Sequence, residues 1–195
     1  MTAVSRTDLD ILFNNARTFY TWTDEKVPDD ILKQVYNLAK MAPTAANCQP
    51  MRIIFVVSEA AKKRLEPCLD RGNVEKTMTA PVTAIIGGDA AFYTYFDKLY
   101  PSANVRSWYE GKFDLIEETL QRNTALQGAY LIMAARAVGL DCGPMSGFNH
   151  AMVDEAFFKG TTIKSNFLCN LGYGSKEKTY PRLPRFDFEE ACRIE

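Results

Sequence analysis

The chain has 195 residues, 47% of them hydrophobic, and a net charge of −1. That is enough apolar matter for one buried core, and too little charge to draw nucleic acid or an anionic membrane by long-range attraction. One histidine, His150, and five dispersed cysteines with no Cys-x-x-Cys pair argue against His-cluster and paired-cysteine metal sites and leave a histidine-dependent nucleophile a single base. Such scattered thiols read as a reduced set in the cytoplasm. No apolar run approaches the ~20 residues of a membrane span, and Met1 to Asp10 lacks the apolar centre of a secretion signal.

In chain order, Thr7 to Phe19 fits an amphipathic helix with Leu9, Leu12, Phe13 and Ala16 on one face. Pro28, followed by Asp29 and Asp30, marks the start of a second helix carrying Ile31, Leu32, Val35, Leu38 and Ala39. Ala42 to Pro50 then forms a connection of small, polar and proline residues, which packs little and offers many hydrogen-bonding groups. Ile53 to Val57 reads as a strand covered on both faces, and Ser58 as the cap of a short helix to about Leu65. Arg71-Gly72 reads as a turn, and Val82 to Ile86 as a second strand. Ala91 to Tyr100 is aromatic enough for core or pocket wall. Leu115 to Val138 is the longest helical pattern; its Gly128, Ala129, Ala134, Ala135 and Ala137 suit either a buried central helix or one shared with a partner subunit. Gly139 is a stop signal, and Gly143 to Phe148 a proline-glycine turn. Val153 to Phe158 suggests a helix, Asn166 to Leu171 a strand, and Phe186 to Ile194 a tail able to wrap around a neighbour. The sum is one α+β domain over residues 1–195, a small central sheet flanked by helices. With no Gly-x-Gly-x-x-Gly and no P-loop, redox chemistry on a bound cofactor is the easiest route to an enzyme.

Pro43-Thr44-Ala45-Ala46-Asn47-Cys48-Gln49-Pro50, Arg17-Thr18, Gly143-Pro144-Met145-Ser146-Gly147 and Leu171-Gly172-Tyr173-Gly174 together resemble the FMN-dependent nitroreductase family over nearly the whole chain. Asn73 to Thr77, Ala80 to Ala84 and Arg106-Ser107-Trp108 are most similar to its malonic semialdehyde reductase branch, from pyrimidine degradation. The resemblance implies an intertwined homodimer with FMN at the subunit interface and NADH or NADPH as reductant. It places Arg17, Thr18 and one of Arg182 and Arg185, with a lean to Arg185, at the flavin phosphate. Asn73 and Lys76 fall at the ring and ribityl chain, with Lys76 tuning the reduced flavin. Pro144, Met145, Ser146 and Gly147 lie along the ring, and Pro43, Thr44, Ala45 and Asn47 reach it from the other subunit. Tyr20 stands where the family often has a second arginine. The activity implied is ping-pong hydride transfer through flavin N5, reducing malonic semialdehyde to 3-hydroxypropanoate, with Arg106 and Arg71 as candidates for its carboxylate. A broad nitroreductase or quinone reductase, and a flavin storage or sensor protein, remain the alternatives.

Overall fold

The computed structural model describes residues 3–175 and 179–195; Met1 and Thr2, the head of the segment examined for a leader, lie outside it. Its elements run α1 (Arg6–Leu9), continued by a π-helical turn Asp10–Asn14, then α2 (Asp29–Ala39), β1 (Met51–Val56), α3 (Glu59–Leu65), α4 (Arg71–Thr79), β2 (Val82–Asp89), α5 (Phe96–Leu99), α6 (Phe113–Ala137), β3 (Asp141–Met145), α7 (His150–Phe157), β4 (Ile163–Gly172) and α8 (Phe188–Ala191). The strands form one antiparallel sheet in the order β1-β2-β4-β3, so the α+β expectation holds.

Burial follows from that order. The inner strand β2 is buried along its length, whereas β1, an edge strand, is buried only at Met51 and Val56. The expectation that β1 is covered on both faces therefore fails. Helix α6 lies across the sheet, burying Leu120, Leu131, Ala134 and Ala135. Two glycines allow its close approach: a Cβ at Gly88 of β2 would meet Leu120 and Thr124, and one at Gly128 of α6 would meet the Phe167 ring. Gly128, Ala134 and Ala135 of α6 thus pack within the chain, while Ala129 and Ala137 are exposed. Leu115, Leu126 and Tyr130, within about 60° of one another around the helix, stay exposed.

Several elements depart from the sequence reading. The first helix is capped by Ser5 and ends at Asn14, short of Phe19, and Leu9, Ile11 and Phe13 face outward. Phe19 instead donates its amide to the Cys142 carbonyl at 3.0 Å, beside a parallel bridge from Thr18 to Cys142. Arg71-Gly72 opens helix α4 rather than a turn. Gly143 to Met145 belongs to β3, which tolerates Pro144 because it is the other edge strand. The aromatic segment divides: Phe92 and Phe96 pack with Tyr109 in a small core, while Tyr95 and Tyr100 are exposed. Ser58 caps α3 as expected, accepting from the Ala61 amide at 3.2 Å.

Lys62 of α3 is 7% exposed. Its ammonium donates to the carbonyls of Thr77 and Ala80 at the end of α4, where a cation complements the helix dipole. Burial still pushes its pKa down to about 8 from the usual 10.5. The folded state releases this proton before the unfolded chain does. Stability should therefore rise as pH climbs from about 8 towards 10.5, recovering a cost on the order of 3 kcal/mol that is fully present at neutral pH. Urea denaturation at pH 7.5 and pH 10 should show that rise in the native chain and a much smaller one in Lys62→Met. Equal slopes in both would contradict the assignment.

Candidate functional site

Four segments meet at one end of the sheet. Asn170 of β4, fully buried, accepts from the Thr83 hydroxyl at 2.7 Å and donates to the Lys76 carbonyl at 3.1 Å. The Trp22 indole donates to the same carbonyl at 3.0 Å. Trp22 bridges to Gly174, and the Thr23 amide donates to the Tyr173 carbonyl at 2.9 Å. Asn73, in the first turn of α4, donates to the Gly147 carbonyl at 2.6 Å, and a Cβ at Gly147 would meet that amide nitrogen at 2.5 Å. The amide of Asp70 donates to the same carbonyl at 3.1 Å. Residues 17–23, 70–77, 141–148 and 170–175 are thus stitched together through backbone groups.

Beside this junction lies a cavity of about 590 Å³ whose walls include Arg17, Thr18, Tyr20, Arg136, Tyr180, Arg182 and Arg185. None of its four arginines makes an ion pair among the described residues. Arg17 donates to the carbonyls of Asn14 and Ala16, and Arg182 to those of Phe13, Asn14 and Ala16 at 2.7–3.0 Å. Desolvation, then the charges of Arg17, Arg185 and Arg136, lowers the pKa of Arg182. Guanidiniums that line one cavity without a carboxylate partner offer planar forks of the kind that match phosphate oxygens.

Tyr20 connects this cavity to α4. Its ring meets that of Tyr180 edge-on, centroids 5.4 Å apart, and the Lys76 ammonium lies 4.9 Å from its centroid. Partial burial lowers the Lys76 pKa. Tyr20 thus packs against both Tyr180 and the Lys76 ammonium.

The sequence-predicted residues fall into groups. Arg17, Thr18, Arg182 and Arg185 share the cavity, so both closing arginines are present there. Asn73 and Gly147 are in direct contact, and Lys76 reaches the cavity through Tyr20. Pro144 is half-buried and Ser146 exposed. The Met145 side chain is buried in the core, its sulfur accepting from the Thr77 hydroxyl at 3.5 Å, so only its backbone is available. Arg106 is paired with Glu110 at 2.7 Å, and Arg71 is exposed at the start of α4.

Pro43, Thr44, Ala45 and Asn47 stand apart from the arginines; Pro43 and Asn47 line a different cavity. Their loop is strained. Ala46, Asn47 and Gln49 have φ of 47°, 52° and 42°, left-handed values that cost energy for residues other than glycine and cluster at functional sites. Buried amides of α6 hold it there: Asn123 accepts from the Ala45 amide at 2.8 Å, and Gln127 donates to the Gln49 side chain at 2.6 Å and accepts from the Met51 amide at 3.0 Å.

Sequence reasoning missed Arg136, Trp22 and Asn170. Arg136 is a lone cation in the last turn of an otherwise apolar stretch, which ordinarily signals only the helix dipole. Trp22 and Asn170 act through long-range hydrogen bonds that no sequence spacing announces.

Neither Cys48 nor His150 lines the arginine cavity. Burial pushes the Cys48 thiol up to about 11. His150 Nδ1 lies 3.0 Å from the Ser165 carbonyl and 3.1 Å from its hydroxyl. Among the described residues, no three His, Cys, Asp or Glu side chains could hold a metal, and no helix is long and apolar enough to cross a membrane.

Residues 14–173 match the model of the nitroreductase family, and the chain belongs to that family. It is 55% identical to a Burkholderia lata protein, provisionally named an NADH dehydrogenase/NAD(P)H nitroreductase, over all of both chains. It is 56% identical over 183 residues, 94% of this chain and 93% of the other, to a protein of the same provisional name from Polynucleobacter asymbioticus. The fold superposes with a TM-score of 0.87 on a provisionally named nitroreductase from Exiguobacterium sibiricum solved with FMN, at 20% identity and full coverage of both chains.

The arginine cavity predicts that inorganic phosphate stabilises the ligand-free protein. Its thermal midpoint should rise by several degrees in millimolar phosphate relative to chloride of equal ionic strength. Arg182→Gln should remove most of that rise, measured against the variant's own midpoint without phosphate, which also reflects the lost hydrogen bonds to Phe13, Asn14 and Ala16. A full phosphate response in the variant would show that the anion binds elsewhere.

Proposed function

We propose that residues 1–195 form one FMN-binding domain of a homodimeric NAD(P)H oxidoreductase, with malonic semialdehyde as acceptor and 3-hydroxypropanoate as product. The observation that carries the cofactor is the cavity of unpaired guanidiniums beside Lys76, Asn73 and Gly147. The donor set fits a phosphate ester at one end. The close Asn73–Gly147 contact offers a flat ring backbone groups at the other. The family and the FMN-bound relative of the same fold support this reading.

Bound FMN supplies hydride chemistry, accepting from NADH or NADPH and delivering to the acceptor in alternate half-reactions. Arg17, Arg182 and Arg185 hold the phosphate, with Arg136 adding charge. Thr18 sits at the mouth of the same cavity. Lys76, fixed by its pinned carbonyl and by Tyr20, places a cation where reduced flavin gathers negative charge. The backbone from Pro144 through Met145 and Ser146 to Gly147 would border the ring. No protein nucleophile is needed.

The dimer rests on surface area. The chain exposes 12098 Å², against about 9,300 Å² expected for a monomer of this mass. Much of the excess is apolar: Ile11 and Phe13 beside α1, Leu126 and Tyr130 on α6, and Leu183, Phe186 and Ile194 in a tail exposed along its length from Tyr180. The separation of Pro43 and Asn47 from the arginine cavity fits a site completed by the partner's loop. Four buried free thiols fit a reducing cytoplasm.

The malonic semialdehyde assignment rests on the resemblance of Asn73 to Thr77 and Arg106 to Trp108 to that branch. Steady-state kinetics on the aldehyde and on a nitroaromatic test it. The aldehyde should give the higher kcat/KM; a tenfold preference for the nitroaromatic would make the protein a broad nitroreductase. Flavin that neither NADH nor NADPH bleaches without oxygen would make it a storage or sensor protein. Sedimentation should give a dimer of about twice the 22.0 kDa chain.

A further inference from the structure

A second cavity, of about 670 Å³, opens beside the strained loop, between the end of α2, the start of β1 and α5. Pro43, Asn47 and Gln49 form part of its wall, and Lys40, Arg52 and Lys98 supply three cations, with no carboxylate in the lining. Arg52 is rigidly placed. It pairs with buried Asp89 at 3.0 Å, donates to the Gln49 and Met51 carbonyls at 3.0 Å each, and lies 5.2 Å from the Tyr95 ring centroid. Lys40 and Lys98 are exposed and make no ion pair among the described residues. Asp89 balances only one of the three charges, and from behind the wall.

We propose that this cavity is an anion subsite for the ligands that exchange hydride with the flavin. This rests on the FMN reading, because that reading sets Pro43 and Asn47, members of this wall, against the partner's flavin. A ligand stacked there would have its anionic end within reach of Lys40, Arg52 and Lys98, while its reacting carbon faces the ring. A rigid guanidinium with two adaptable ammonium groups recognises a carboxylate or a phosphate oxygen. The shared chemistry is an anionic tail, supplied either by a short oxo-acid or by the phosphates of the pyridine nucleotide. The subsite would also explain why the strained backbone is kept: Asn47 and Gln49, at φ of 52° and 42°, turn the chain around this cavity.

The test uses FMN-loaded dimer carrying Lys40→Gln and Lys98→Gln together, exposed positions whose change leaves the Arg52–Asp89 pair intact. Malonate binding is measured by calorimetry, KM with malonic semialdehyde and with an uncharged quinone, and the NADH and NADPH dependence of flavin bleaching by stopped flow. If the tail is a carboxylate, malonate affinity falls and the aldehyde KM rises tenfold or more, while quinone KM and bleaching hold. If it is a phosphate, nucleotide affinity in the bleaching step falls tenfold and malonate binding holds. Unchanged values on both arms in a double variant that bleaches normally would overturn the subsite and leave the oxidoreductase reading standing. A native protein that NADH and NADPH cannot bleach would overturn the oxidoreductase reading itself, and malonate calorimetry would still decide whether the cavity binds an anion.

Discussion

The Asn170 side chain is the constraint on which the rest of the site depends. It lies wholly within the sheet, where an unsatisfied amide costs several kcal/mol, so its partners are fixed by necessity. They are the Thr83 hydroxyl on β2 and, on α4, the Thr77 hydroxyl and the Lys76 carbonyl. The latter carbonyl also receives Trp22. One buried amide thereby locks a short polar helix to the sheet and, through Trp22, the segment that carries Arg17 and Tyr20. Helix α4 has little apolar surface of its own, so these polar links, with the Lys62 cap at its far end, set the positions of Asn73 and Lys76.

A second constraint acts on the loop that follows α2. Buried Asn123 and Gln127 of α6 spend their amides on the loop from Ala45 to Met51, holding three residues in left-handed backbone. A free loop would relax such strain. Persistence of the strain requires fully satisfied anchors behind it. The two rigid half-sites, arginine cavity and strained loop, face different surfaces of one chain. In the proposed dimer a second copy brings them together.

Much of this was legible in the sequence, for identifiable reasons. Helix α2, the Ser58 cap, β2 and α6 follow apolar periodicity or capping chemistry, which act locally. The arginines and the loop stand out through the family resemblance, which the phosphate-matching guanidinium fork and the poorly packing loop composition support. Helix α4 was missed because Val74 and Met78 are its only large apolar residues and Gly72 and the threonines are poor helix formers. Strand β3 was hidden by Gly143 and Pro144, tolerated only because the sheet order makes it an edge. The first helix ran past its true end because the Thr18–Cys142 bridge, a contact 124 residues long, draws the chain out of helix. The Tyr20–Lys76 contact likewise joins residues far apart in the chain.

The central claim is that this junction and its arginines form a flavin site with the phosphate held by charge. Fluorescence titration of the flavin-free protein with FMN and, separately, with riboflavin tests it most directly. FMN should bind at least a hundredfold more tightly than riboflavin, with a strong salt dependence. Equal affinity for the two, or no quenching by either, would contradict the account.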